Sequence, residues 1–301
     1  TVKLDVTGSI TIDASSSIDV SGKGYVSEDW SGPDYAGKER HGCHGGKNRD
    51  LVEDCTYGRY ERARYAGSAG DYGNSENPAH GGGIVELYAQ SLQLDGAIHA
   101  EGLDGGYVNG VTRTAGAGGS IHIQVASFSG TGELSVRGGS NHHGNNYPTG
   151  AGGRISIYTP VNTYTGLWQV GDGETGSASG AGTAYWQDPD ADYGHLIVDN
   201  HGSVGLEGST PIRSVGRHTI VNVEQDLADL TVWHIEVAGT PWKATDEAYD
   251  WGIDGLSVDL DGDGPLLPYL IESNTTNTLT VTTLGEDLSG VQDNELVGVH
   301  T

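Results

Sequence analysis

Apolar and polar residues alternate along the first two thirds of the chain in short runs. Examples are Val2-Lys3-Leu4-Asp5-Val6 and Ile121-His122-Ile123-Gln124-Val125, with Val85, Leu87 and Ala89 and then Ile155, Ile157 and Thr159 in the same alternation. A period of two places successive side chains on opposite faces, which predicts half-buried strands. No segment sustains a 3.6-residue period. The runs also recur, following Gly116-Ala117-Gly118-Gly119 and Gly150-Ala151-Gly152-Gly153, with Gly180-Ala181-Gly182-Thr183 next in register at a solenoid-sized interval of roughly 30 to 36 residues. Two further columns align from copy to copy: Ile18, Ile98, Leu134 and Trp168, then Val20, Ala100, Val136 and Val170. Apolar columns that match between copies suit strands whose inward residues stack on those of the next coil. The expected fold is therefore all-β, a right-handed parallel β-helix (solenoid) over residues 1–215. From residue 216 the repeats stop. Separate runs such as Val221-Asn222-Val223, Leu230-Thr231-Val232-Trp233, Tyr269-Leu270-Ile271 and Leu279-Thr280-Val281-Thr282 predict a small β-sandwich-like domain over 216–301.

Glycine sharpens this picture. With 50 glycines but only 9 prolines, and glycine clustered rather than at every third position, a collagen triple helix is excluded. Helices are disfavoured too, at about 1 kcal/mol for each interior glycine. The clusters are expected at coil corners, where positive φ and close approach of neighbouring turns call for glycine. Another strand, not a helix, follows each cluster, so a phosphate-binding loop is not expected.

The succession Gly81-Gly82-Gly83-Ile84-Val85-Glu86-Leu87, Gly118-Gly119-Ser120-Ile121-His122-Ile123 and Gly152-Gly153-Arg154-Ile155-Ser156-Ile157-Tyr158 resembles the glycine-rich β-helical repeats of large secreted bacterial surface proteins of adhesin type. Gly180-Ala181-Gly182-Thr183-Ala184-Tyr185 resembles the way such blocks end. The likeness spans about residues 1–215 and implies architecture; it carries no catalytic signature. Around His41-Gly42-Cys43-His44-Gly45-Gly46 the chain departs from it, with two cysteines and many charged residues where that family is nearly all glycine.

A net charge of −26 argues against nucleic acid or an anionic bilayer as partner, since both require a cationic surface. No apolar run is long enough for a membrane span, and Thr1-Val2-Lys3-Leu4 lacks the pattern of a signal peptide, so with no methionine the chain reads as processed or excised. Cys43 and Cys55 lie in one glycine-rich stretch. A disulfide between them would imply an extracellular or cell-surface location; a zinc site using His41, Cys43, His44 and Cys55 is the alternative, with free thiols a third.

The stretch from about 23 to 82 concentrates Arg40, Arg49, Arg59, Arg62 and Arg64 among Tyr57, Tyr60, Tyr65 and Tyr72. Such a basic and aromatic loop on an acidic protein fits an anionic polysaccharide or the acidic surface of another copy; the competing reading is a cover paired with the protein's own carboxylates. Calcium is the expected cofactor. Asp259, Asp261 and Asp263 alternate before glycine, as hard oxygen ligands of a tight loop do, with Asp254 or Glu272 to complete the shell. Asp188, Asp190 and Asp192 form a looser series, whereas His142-His143 reads as a solvated turn.

Parallel β-helices often act on acidic polysaccharides, which makes acids and bases at outward positions of the first strand column candidate catalytic groups. Glu86, Tyr88 and His122 fall on adjacent coils there. With no Ser-His-Asp order or convincing carboxylate pair, the leading expectation is a non-enzymatic, calcium-stabilised building block of a surface layer, adhesin or fibre. It would associate with itself or with neighbouring repeats of a larger protein, Leu296-Val297-Gly298-Val299-His300-Thr301 being a candidate partner strand. The alternatives are a polysaccharide lyase or hydrolase and a carbohydrate-binding module.

Overall fold

The computed structural model describes residues 1–26, 42–48, 55–70, 79–108, 111–142, 148–173, 178–191, 194–202, 208–213, 215–242, 244–245, 252–260, 269–283, 285–291 and 295–299. The protein is all-β, with mostly parallel strands in its N-terminal part and no α-helix among the described residues. It divides into two compact units, Thr1–Pro211 and Ile212–Thr301.

In the first unit, β1 (Val2–Asp5), β2 (Ser9–Ile12) and β3 (Ser17–Asp19) precede the long β4 (Ile84–Leu94) and β5 (Ala97–His99). After a two-stranded ribbon of β6 (Gly106–Val108) and β7 (Val111–Arg113) come β8 (Ser120–Gly130), β9 (Glu133–Ser135), β10 (Arg154–Tyr158), β11 (Val161–Tyr164), β12 (Leu167–Gln169), β13 (Thr183–Gln187) and β14 (His195–Ile197). One sheet runs β1-β4-β8-β10-β13 in parallel and ends with antiparallel β14; β2 and β11 pair with the second halves of β4 and β8. A second parallel sheet runs β3-β5-β9-β12.

The register follows the apolar columns. Val2 pairs with Val85, Val85 with Ile121, Ile121 with Ile155 and Ile155 with Ala184. In the other sheet Ile18, Ile98, Leu134 and Trp168 lie in one row. Stacking like on like leaves Leu87, Ile98, Ile121, Ile123, Leu134, Ile155 and Ile157 wholly buried in one core. A one-residue slip would turn every one of these side chains to the opposite face, which is why burial enforces the register.

The glycine clusters are not corners with positive φ. None of Gly116, Gly118, Gly119, Gly150, Gly152, Gly153, Gly180 and Gly182 is among the positive-φ residues. They form segments outside the assigned strands, and their hydrogen bonds rotate among different neighbours. Gly116 N–H donates to Leu103 O, Ala117 to Ser68 O, Gly118 to Ala151 O and Gly119 to Ala100 O, at 2.7 to 2.9 Å. Partners in the same neighbouring segment thus recur after three residues. Gly150 and Gly153 repeat the pattern toward Gly139 O and Val136 O, with Ala151 bonding Gly42 O and Gly152 bonding Gly180 O between them. Three residues per turn without internal hydrogen bonds is the geometry of a polyproline-II-type strand, and such strands pack closely only where side chains are absent. Two segments of the inserted stretch belong to this bundle: Gly67 donates to Gly82 O, Gly70 to Ala79 O and Gly45 to Gly152 O.

The second unit corrects the sandwich expectation. Its strands β15 (Arg217–Gln225), β16 (Val232–Val237), β17 (Ser257–Asp259), β18 (Tyr269–Asn274), β19 (Thr278–Thr282) and β20 (Glu295–Val299) close into an antiparallel barrel of order β15-β16-β19-β18-β17-β20. Two long strands are responsible. β15 pairs with β20 through Arg217–Thr219 and with β16 from Ile220 onward, and its register shifts between Ile220 and Asn222. β18 likewise pairs with β17 through Tyr269 and Leu270 and with β19 from Ile271 onward, and its register shifts between Ile271 and Ser273. A bulge bends a strand, so each serves two sheets and removes their edges. Trp233, Ile235, Leu279, Val281 and Leu296 fill the interior. The C-terminal strand expected to pair with another molecule is instead β20, bonded on both sides within this barrel.

Candidate functional site

Alternation in the first sheet turns two polar rows outward. Lys3, Glu86, His122, Ser156 and Tyr185 form one, and Asp5, Tyr88, Gln124, Tyr158 and Gln187 the other, in register across β1, β4, β8, β10 and β13. Glu86, Tyr88 and His122 are thus brought together. Lys3 Nζ stands 3.3 Å from Glu86 and 5.1 Å from the centre of the Tyr88 ring. His122 Nδ1 is 2.7 Å from Ser156 Oγ, and its ring lies 5.7 Å from Tyr88 and 6.0 Å from Tyr158. Burial holds His122 below the usual imidazole range; Glu86 opposes this, while Arg62 and Lys3 add to it.

The segment from Cys55 to Ala66 lies against the far end of this face. Tyr158 donates its hydroxyl hydrogen to Glu61 O at 2.7 Å, Ala63 N–H donates to Ser156 Oγ at 3.0 Å, and Ser120 donates to Tyr65 O at 2.6 Å. Tyr60 meets Tyr185 edge-on at 5.4 Å. Burial raises the pKa of Tyr158, and the neighbouring Tyr185 and Glu61 add to that shift. Ser156 is wholly buried, with its hydroxyl held between His122 and Ala63, so it offers no nucleophile to a substrate.

Beneath the segment, Arg154 is buried and donates from Nε to Tyr57 O at 3.1 Å and from Nη1 to Thr183 Oγ1 at 3.2 Å. Tyr57 does not belong to a binding surface. It is only 2% exposed, donates to Ala66 O at 2.7 Å and stacks on His44 at 4.8 Å. Arg59 and Arg64 are half-buried, Arg64 donating to the Tyr65 hydroxyl at 3.2 Å, whereas Arg62 is exposed. Arg40 and Arg49 lie outside the described residues. Tyr185 and Arg154 were missed as site residues, although carrying the repeat one copy further places Tyr185 at the position of Ser156.

Cys43 and Cys55 are joined in a disulfide. His44, a candidate zinc ligand, is wholly buried with Nδ1 2.8 Å from Gly118 O; His41 lies outside the described residues. Closing a ring over a sequence separation of 12 stabilises the fold by about 3 kcal/mol through the unfolded chain. Urea unfolding of the Cys43→Ala/Cys55→Ala variant should show a loss of about that size. An unchanged midpoint would mean that the bundle holds these segments without the bridge.

Among the described residues no group of three or more His, Cys, Asp or Glu side chains is placed to hold a metal ion. Asp261, Asp263 and Asp192 lie outside the described residues. Asp259 ends β17. Asp188 and Asp190 share a turn in which Asp190 N–H donates to Asp188 Oδ1 at 3.0 Å. Asp254 accepts from Thr245 Oγ1 at 3.3 Å, and Glu272 accepts from the Thr282 hydroxyl. His142 bonds Asp104 at 2.9 Å on the surface, and His143 lies outside the described residues.

No helix among the described residues is long and apolar enough to cross a membrane. No protein-family model, curated protein or solved structure matches the chain.

Proposed function

We propose that the chain is a non-enzymatic extracellular protein, a right-handed parallel β-helix with an appended barrel that serves as a structural or adhesive building block of a cell-surface layer or self-assembling fibre. The observation that carries this reading is the outward sheet face. An enzyme on this scaffold would need free acid and base groups there, yet Ser156 is used by Ala63, Tyr158 by Glu61 and Glu86 by Lys3. Apolar columns repeated in register between parallel strands support successive coils of one solenoid. The disulfide supports an oxidising location.

Self-association, or continuation into neighbouring repeats, is supported at the β1 side. Leu4 lies opposite the wholly buried Leu87 but is itself 38% exposed, because among the described residues no strand covers the far side of β1. Uncovered edges of this kind tend to be paired. Electron microscopy of the purified protein across a range of concentrations should reveal polymers, and monomers alone would overturn the assembly reading. Calcium, assigned to the Asp259–Asp263 and Asp188–Asp192 segments, belongs to the same proposal. A chelator should lower the unfolding temperature by several degrees and calcium should restore it; an unmoved transition removes calcium from the account.

A further inference from the structure

Tyr88, His122 and Tyr158 stand on three neighbouring strands, β4, β8 and β10, and are all half-buried, held from below with part of each ring open to solvent. Their ring centres advance in steps of 5.7 Å and 6.0 Å, tilted by 58° and 57°. Strands in a sheet lie ~4.8 Å apart, comparable to the length of one pyranose unit. The rings alternate between the two outward rows, Tyr88 and Tyr158 in one and His122 in the other, and the face is bounded at the Tyr158 end by the segment that bonds Tyr158 and Ser156. That boundary brings up Arg62, which is exposed, has no ion-pair partner among the described residues, and acts electrostatically on both His122 and Tyr158. At the other end lie Lys3 and Glu86.

The geometry points to a linear binding subsite for a single chain of an acidic polysaccharide of uronate type. The apolar faces of successive sugar rings lie on Tyr88, His122 and Tyr158, amphipathic rings that present flat apolar area next to polar groups. A guanidinium binds a carboxylate through two parallel N–H donors, so Arg62 takes one uronate carboxylate. His122 Nε2 faces the sugar hydroxyls, since Nδ1 is engaged by Ser156, while Glu86 stays paired with Lys3. Charge selects the ligand class. On a chain of net charge −26, an arginine without an ion-pair partner among the described residues, beside an aromatic floor, is a local site for an anion.

Isothermal titration with oligogalacturonate, and with a maltooligosaccharide of the same length, tests this. Wild-type protein should bind the uronate oligomer, with affinity falling as salt rises, and should not bind the neutral one. Arg62→Glu, at an exposed position, should weaken binding by at least about tenfold while leaving the unfolding transition in place. Tyr88→Phe should bind as the wild type does, and Tyr88→Ala should not. Failure of the wild type to bind, equal binding of the neutral oligomer, or an unaffected Arg62→Glu variant would each overturn the assignment. Loss of self-association in Arg62→Glu without any glycan binding would overturn it in favour of a second copy. Cleavage of the oligomer would instead defeat the non-enzymatic function while leaving the subsite standing.

Discussion

Gly118→Ala is expected to prevent the N-terminal unit from folding. A Cβ added there would stand 1.8 Å from the carbonyl oxygen of Val136 and 2.7 Å from the amide nitrogen of Gly153. Both are backbone atoms held in hydrogen bonds, since Gly153 N–H itself donates to Val136 O at 2.8 Å, so neither can give way alone. Gly152 is equivalent one copy later, where the added carbon would meet Val170 O at 1.9 Å. A methyl group in such a place forces neighbouring strands apart and breaks their bonds, a lesion above about 4 kcal/mol. Gly8→Ala is the control. It meets nothing within 4 Å and does not lie at positive φ, so its effect should stay within about 0.5 kcal/mol. Urea unfolding followed by circular dichroism distinguishes the two, and a Gly118→Ala protein with near wild-type stability would refute the close-packed bundle.

Acidification should remove stability through His44. The ring is wholly buried on Tyr57, and its Nδ1 hydrogen is donated to a carbonyl that can only accept, leaving Nε2 without a hydrogen-bond partner among the described residues. Burial depresses its pKa to about 3, and the guanidinium of Arg154 acts in the same direction, against the favourable carbonyls of Gly118 and Gly119. The unfolded chain takes up this proton near pH 6.5. Between those two values the unfolded state therefore holds more protons, so stability falls as pH falls through the window and is unaffected by this group above it. The slope is about 1.4 kcal/mol per pH unit, which reaches on the order of 3 kcal/mol by pH 4. Asp13 and Asp19, whose pKa values are lowered chiefly by hydrogen bonds from Ser15 and Ser21, also destabilise the fold on acidification. They do so equally in a variant. The measurement is accordingly a comparison, with urea unfolding from pH 7 to pH 4 of the wild type and of His44→Gln. The variant should lose about one proton's worth of slope, and parallel curves would show that His44 is not held neutral by burial.

The two strand columns were legible because side chains carry them. Val85, Ile121 and Ile155 recur at a fixed interval, and in a parallel stack a fixed interval places each residue beside its counterpart, so a pattern in one dimension became a register in three. The same alternation put Glu86, Tyr88 and His122 on one outward face. The joining of Cys43 to Cys55, one of several readings open to the sequence, left His44 to the core instead of to a metal.

The glycine segments were legible only as composition. Without a side chain, Gly118 has no polarity to betray which neighbour it touches, and its contacts with Val136 and Ala151 exist only once distant segments are assembled. Nor does Tyr57 differ in the sequence from Tyr60, although burial places one in the core and leaves the other half-exposed. The barrel was decided by two bent strands, because a register shift at Ile220 or Ile271 depends on which strands compete for each half. Local alternation thus determined the strands, their faces and their order in the parallel sheets. Hydrogen bonding between segments far apart in the chain decided how glycine packs, where the cystine-bridged stretch runs and how the second unit closes, since backbone groups carry no sequence label and pair only with what tertiary packing brings to them.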